Sequence, residues 1–227
     1  EELGFVNVHR LKFAHEYKFK ETNLILSILK SGDFREDSGI YFSNGSFTCL
    51  FDVDSNSINF NRYPKVDFYA SSFAGGASGY PIMFENYQKN QKSEILNRNK
   101  LFLKRKKIKI FKQIKPRYFM PYAGFFVEKL KRDKTVNELQ NKNKISDYIS
   151  ICKKQNIKLL DVEKFDEFFF KENELLNSEN NSSKYFNDLA PEEYLQKYKN
   201  NLNKIDLDFI RNYFEKSNFK DNLVLFI

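Results

Sequence analysis

The stretch Val66-Asp67-Phe68-Tyr69-Ala70-Ser71-Ser72-Phe73-Ala74-Gly75-Gly76-Ala77-Ser78-Gly79-Tyr80-Pro81 decides how this chain is read. Its first half is a short apolar run, the pattern of a buried strand. Its second half carries three glycines and no charge. Glycine lacks a Cβ, so backbone there can turn sharply and lie close to a ligand. A loop of this composition at a strand end can aim several N–H groups at an anion or a polar ligand. The competing reading is a tight connection passing close to a neighbouring strand.

Upstream, the chain reads as β-rich. Strands are predicted at Val6–Phe13, Leu24–Leu29, Ile40–Phe42 and Phe47–Phe51, with Asn44-Gly45 as a hairpin turn. Downstream, helices and strands alternate. Ile95, Phe102, Leu103, Ile110 and Ile114 recur at helical spacing, and Pro116 ends that element. Arg117–Met120 and Ile157–Val162 read as strands. Thr135 and Glu138 have capping-box spacing, and Ile145, Tyr148, Ile149 and Cys152 form one helical face. Pro191 and Asp206 open two further helices, and Glu172–Lys184 reads as a loop. Strands followed by β-α-β alternation predict an α/β fold with helices covering a mixed sheet.

The 227 residues suit one domain, β-rich over 1–70 and α/β over 71–227. The chain opens at Glu1 and stops inside the strand-like Leu223–Ile227, so a portion of a longer polypeptide is expected. A net charge of +8 suits an anionic partner. Much of it lies in Lys104-Arg105-Lys106-Lys107 and the lysines behind it. That run reads as a solvated helix face, since nucleic-acid binding would ask for interleaved exposed aromatics. Two distant cysteines, Cys49 and Cys152, fit a reducing cytoplasm better than a disulfide framework, and no run is long enough to span a membrane.

Two motifs carry a resemblance to a known family: Phe73–Pro81, and Pro116-Arg117-Tyr118-Phe119-Met120-Pro121-Tyr122-Ala123-Gly124-Phe125-Phe126-Val127-Glu128. Together with the basic helix between them, they resemble the metallo-β-lactamase-fold region of CMP-N-acetylneuraminate hydroxylases and their bacterial relatives. Phe209–Phe214 and Phe219–Val224 resemble the region that follows. The resemblance implies an αββα sandwich with its site at strand ends. It implies a divalent metal (iron, zinc or manganese) and a nucleotide-activated or acidic sugar as substrate. The family's longer members carry a Rieske iron–sulfur domain, whose two-Cys, two-His ligand set this chain does not supply. The superfamily's HxHxDH metal motif is also absent, and would fall in a missing upstream half of the domain.

The resemblance marks Asp54, Asp52 and Asp33 as candidate metal ligands. It marks Gly75, Gly76, Ser78, Gly79, Tyr80, Tyr122 and Gly124 as candidate substrate contacts. Each has a plainer alternative. Asp33 and Asp37 suit an Asx-type turn, Asp54 a helix cap, and Tyr122 simple packing. The loop Pro121-Tyr122-Ala123-Gly124 holds no histidine where superfamily relatives often have a metal ligand. His9 and His15 read as structural or solvent-facing, and no nucleophile–histidine pair is evident. Three functions therefore stand open: an enzyme resembling the hydroxylases, a metal-dependent hydrolase of a phosphorylated or acyl sugar, and a metal-free sugar-nucleotide-binding or structural module.

Overall fold

A computed structural model describes residues 9–33, 37–55, 57–63, 65–75, 79–124, 133–180 and 190–202. The chain divides into two compact units, Glu1–Phe186 and Asn187–Ile227.

Unit one is built on a seven-stranded mixed sheet whose spatial order follows the chain: β1 (Glu16–Lys18), β2 (Ile25–Lys30), β3 (Ser38–Ser43), β4 (Thr48–Phe51), β5 (Phe68–Ser71), β6 (Tyr118–Pro121) and β7 (Lys158–Leu159). The β1–β4 pairs are antiparallel, and β4–β7 run parallel. The β3–β4 hairpin turns where the sequence predicts. Gly45 takes φ +90°, and Asn44 Oδ1 accepts from the N–H groups of Ser46 (3.1 Å) and Phe47 (2.8 Å).

Parallel neighbours need crossovers, and a succession of right-handed crossovers in one direction puts every connection on one face. That face carries helix α1 (Lys89–Ile114), helix α3 (Ser146–Lys154) and a 3-10 turn at Phe60–Arg62, with the short α2 (Lys134–Leu139) preceding α3 in the chain. Leu50, Tyr69, Phe119 and Leu159 pair in one row across β4–β7. They meet Phe60, Ile110, Phe111, Ile114, Tyr148 and Cys152 in the main core.

The opposite row, including Cys49, Phe68 and Tyr118, is covered by a second layer. This layer is a hairpin of β8 (Glu167–Lys171) and β9 (Glu174–Glu179), whose Phe168, Phe170 and Leu175 face the sheet. Tyr118 Oη ties it down by donating to Glu174 (2.8 Å) and accepting from Leu175 N–H (3.1 Å).

The α/β class and mixed sheet are as predicted. Among the described residues there is a seven-stranded sheet with helices on one face and the two-stranded β8–β9 sheet on the other; an outer helix layer beyond that second sheet is not among them. Of the loop predicted at Glu172–Lys184, residues 181–184 lie outside the described residues, and Glu174–Glu179 is instead β9. Its outward residues Glu174, Asn177 and Glu179 give it a loop's composition. The two-residue turn is Glu172-Asn173, both at positive φ as a type I′ turn requires. The first described strand is Glu16–Lys18; of the predicted Val6–Phe13, residues 6–8 lie outside the described residues, and among the rest Phe13 makes a bridge to Ile28. The Thr135–Glu138 capping box does not form, because α2 starts two residues earlier, with Asp133 at the N-cap and no side-chain cap hydrogen bond. In the second unit, α4 (Pro191–Leu202) starts at the predicted proline, with Tyr194 N–H bonded to Ala190 O. Asp206, Phe209–Val224 and Leu223–Ile227 lie outside the described residues. No described helix is long and apolar enough to cross a membrane.

Candidate functional site

Strands β2, β4, β5 and β6 point the same way, so the segments leaving their C-terminal ends gather at one edge of the sheet. Such an edge is where open α/β sheets place ligands. Backbone bonds fix the gathering. Gly32 N–H bonds Ser57 O (3.0 Å), Asp52 N–H bonds Ala70 O (3.1 Å), and Tyr122 N–H bonds Ser71 O (2.9 Å). The candidate residues Asp33, Asp52, Asp54, Gly75, Gly79, Tyr80, Tyr122 and Gly124 all lie on segments that follow these strands. Gly76 and Ser78 lie outside the described residues.

The glycine loop is part anchor and part open surface. Phe73 and Ala74 are buried. Phe73 O accepts from Tyr148 Oη (3.0 Å) and Asn143 Nδ2 (3.1 Å), and Ala74 O accepts from Asn143 N–H (3.3 Å). Gly124 explains the close seating. Its φ is +97°, and a Cβ there would stand 2.8 Å from Ala74 Cβ. So the first half of the loop is held from below, while Tyr80 and Tyr122 are exposed at the surface, 39% and 47% respectively.

The three aspartates separate sharply. Asp54 is exposed and Asp33 half-buried. Asp52 is buried at 1% exposure and accepts from Tyr69 Oη (2.7 Å). Its Oδ1 lies 3.8 Å from the Lys107 ammonium, also buried. Lys107 in turn donates to Tyr69 Oη (3.1 Å) and to Ser71 Oγ. Burial pushes the Asp52 carboxyl up, against the opposing pull of Lys107. Burial likewise pushes Lys107 down and Tyr69 well up.

The cation facing Asp52 is thus a lysine of this chain. A carboxylate so matched and enclosed does not fit the role of a metal ligand. Among the described residues no group of three or more His, Cys, Asp or Glu side chains could hold a metal ion.

Lys107 corrects the sequence reading of the basic run as wholly solvated. The buried positions of α1 are Leu96, Lys107, Ile110, Phe111 and Ile114, whereas Phe102 is 62% exposed. Position 107 stands three before Ile110 and seven before Ile114, and that spacing was the available signal. Tyr69, Ser71, Asn143 and Tyr148 were also missed as site-building residues. Each sits in a stretch whose apolar neighbours dominate or whose partner is remote in sequence. Cys49 and Cys152 are buried free thiols, and burial raises each to about 12, which removes them as nucleophiles near neutral pH.

No protein-family profile matches the chain. It is similar to the cytidine monophosphate-N-acetylneuraminic acid hydroxylase of Pan troglodytes, at 32% identity over 140 residues. That match covers 60% of this chain and 24% of the relative. The Mus musculus enzyme is 31% identical over 145 residues, covering 62% and 25%. The inactive Homo sapiens counterpart is 32% identical over 140 residues, covering 60% and 28%. The chain therefore spans about a quarter of the length of the curated relatives it matches. Among solved structures, a variant of the CmlA beta-hydroxylase aligns with a TM-score of 0.42 and 15% identity, covering 69% of this chain and 32% of that one.

Proposed function

We propose that the edge formed after β2, β4, β5 and β6 is the substrate-facing part of a metallo-β-lactamase-like αββα enzyme similar to CMP-N-acetylneuraminate hydroxylases. Its substrate is a nucleotide-activated or acidic sugar. The observation that carries this reading is the seating of Gly124 against Ala74, with Gly75 and Tyr122 alongside in sequence, where the segments after β5 and β6 leave the sheet, in a chain 32% identical over 140 residues to those hydroxylases. Backbone N–H groups at Gly75 and Gly79 suit an anionic group, and the exposed rings of Tyr80 and Tyr122 suit the apolar face of a sugar or base. If this chain supplies metal ligands to such an enzyme, Asp54 and Asp33 are its candidates.

A second reading has its own support: a metal-free sugar-nucleotide-binding module. The buried Lys107 beside Asp52 favours it, and the likeness to the inactive human counterpart is no weaker than to the active enzymes. Calorimetric titration of the chain with CMP-N-acetylneuraminate tests what both readings share. Saturable binding that weakens about tenfold in Tyr122→Ala is expected, a loss equal to about 1.4 kcal/mol. Absence of saturable binding, or binding indifferent to Tyr122, contradicts both. Iron, zinc or manganese that raises affinity in the native protein and not in Asp54→Ala would select the metal-dependent reading.

A further inference from the structure

The basic residues of α1 do not form one track. Lys100 and Lys104 turn to Asp147 on α3, at 3.8 and 3.5 Å, and Lys107 enters the core. Lys92 donates to Ile82 O. Arg105, Lys106 and Lys109 face another way, into a groove of about 540 Å³ between α1 and the segment Ser57–Asn61. None of the described residues lining this groove is acidic, and Arg105 and Lys109 are exposed along its helix wall. Its inner wall is apolar, with buried Ile58, Phe60 and Ile110. Asn59, Asn61 and Gln113 bring amides to its walls, and the exposed ring of Phe102 stands on the same helix face.

We infer that this groove is a binding site for a mononucleotide: a phosphate held by Arg105 and Lys109, with a planar base against Phe102 and the amides. Arg105 and Lys109 are four apart on a helix, so their side chains are neighbours on one surface. A guanidinium presents a planar fork that matches two phosphate oxygens, and a lysine one turn away adds a point charge. Phe102, three residues before Arg105, lies one turn along the same face, where an exposed ring offers a stacking surface. Side-chain amides carry both a donor and an acceptor, the complement of a base edge. The volume is that of a small-molecule pocket rather than a channel for a strand, and the remaining lysines of α1 are turned away from it. This inference does not rest on the strand-end reading, since none of these residues is among the candidate contacts there.

The test is calorimetric titration of the full chain at low and moderate salt with cytidine 5′-monophosphate and adenosine 5′-monophosphate. Inorganic phosphate, cytidine and a single-stranded oligothymidylate serve as comparison ligands. Saturable mononucleotide binding is expected, at least tenfold weaker in the Arg105→Gln/Lys109→Gln variant and several-fold weaker in Phe102→Ala. Lys112→Gln, which removes an exposed lysine outside the groove, leaves it unchanged. Circular dichroism of each variant keeps a folding defect from passing as a binding defect. Four outcomes overturn the inference: no mononucleotide binding, binding indifferent to Arg105 and Lys109, inorganic phosphate bound as tightly as the nucleotides, or oligothymidylate bound with a steep salt dependence while mononucleotides are not. Mononucleotide binding that survives the Arg105→Gln/Lys109→Gln change would sink the groove, while CMP-N-acetylneuraminate binding that survives it would leave the strand-end reading standing. Mononucleotide binding in the groove without any CMP-N-acetylneuraminate binding would do the reverse.

Discussion

Lys107 and Lys109 stand two residues apart in one basic run and live in opposite environments. Lys107 is 2% exposed and faces Asp52, Tyr69 and Ser71, whereas Lys109 is exposed and lines an open groove. Two residues along a helix turn a side chain by more than half a revolution. Identical side chains are thereby assigned to a core ion pair and to a surface free to meet an anion. Composition in such a run says little until the phase of the helix is known.

The comparison breaks most decisively at the core pair. Lys107→Met leaves Asp52 buried without its cation, and a loss of about 3–5 kcal/mol is expected in denaturant unfolding. Adding Asp52→Asn removes the stranded charge and should restore most of that loss. A double variant as unstable as the sum of the singles would show that the two side chains do not act as a pair. By contrast, Lys109→Met on the groove side should change stability by no more than about 0.5 kcal/mol.

Gly124→Ala probes how the loops after β5 and β6 are seated. It forces a side chain into positive φ and against Ala74, and a loss of about 2 kcal/mol is expected. Tyr148→Phe removes one of the two side-chain donors to Phe73 O, with a smaller loss of about 1 kcal/mol.

The smallest effect belongs to Asp147, the surface counterpart of Asp52. The backbone N–H of Lys144 first, then Lys100 and Lys104, hold its carboxyl below the usual range. A depressed folded value gives stability that is present above the unfolded value, about 3.9, and is lost as pH falls through the folded one. Asp147→Asn should cost about 0.5 kcal/mol at neutral pH, and the gap to the native protein should close below about pH 4. A gap that persists or widens in acid would contradict that origin. Burial shifts Asp52 the other way. Its contribution is fullest below the unfolded carboxylate value and is lost as pH rises through its raised folded value.

Much of the fold was legible because local signals agreed with it. Short apolar runs marked β2–β6, Asn44-Gly45 marked a hairpin, and Pro116 and Pro191 marked helix limits. The strand-end position of Asp52, Asp54, the glycine loop and Tyr122 followed from the order of those elements. What stayed hidden depended on phase or on remote partners. Lys107 was concealed by its charged neighbours, and Asn143 meets the glycine loop from 70 residues away. The β8–β9 hairpin was concealed by its polar outer side, although Phe168 and Phe170 alternate toward the sheet. The split among the aspartates could not be read from spacing, because burial of Asp52 is decided by α1.

The most direct test of the strand-end account is amide chemical-shift mapping by NMR as CMP-N-acetylneuraminate is added to the isotope-labelled chain. The account predicts saturable shifts at Gly75, Gly79, Tyr80, Tyr122 and Gly124, with the β8–β9 hairpin unmoved. Shifts confined to the hairpin, or no saturable shift at those strand-end residues, would contradict it.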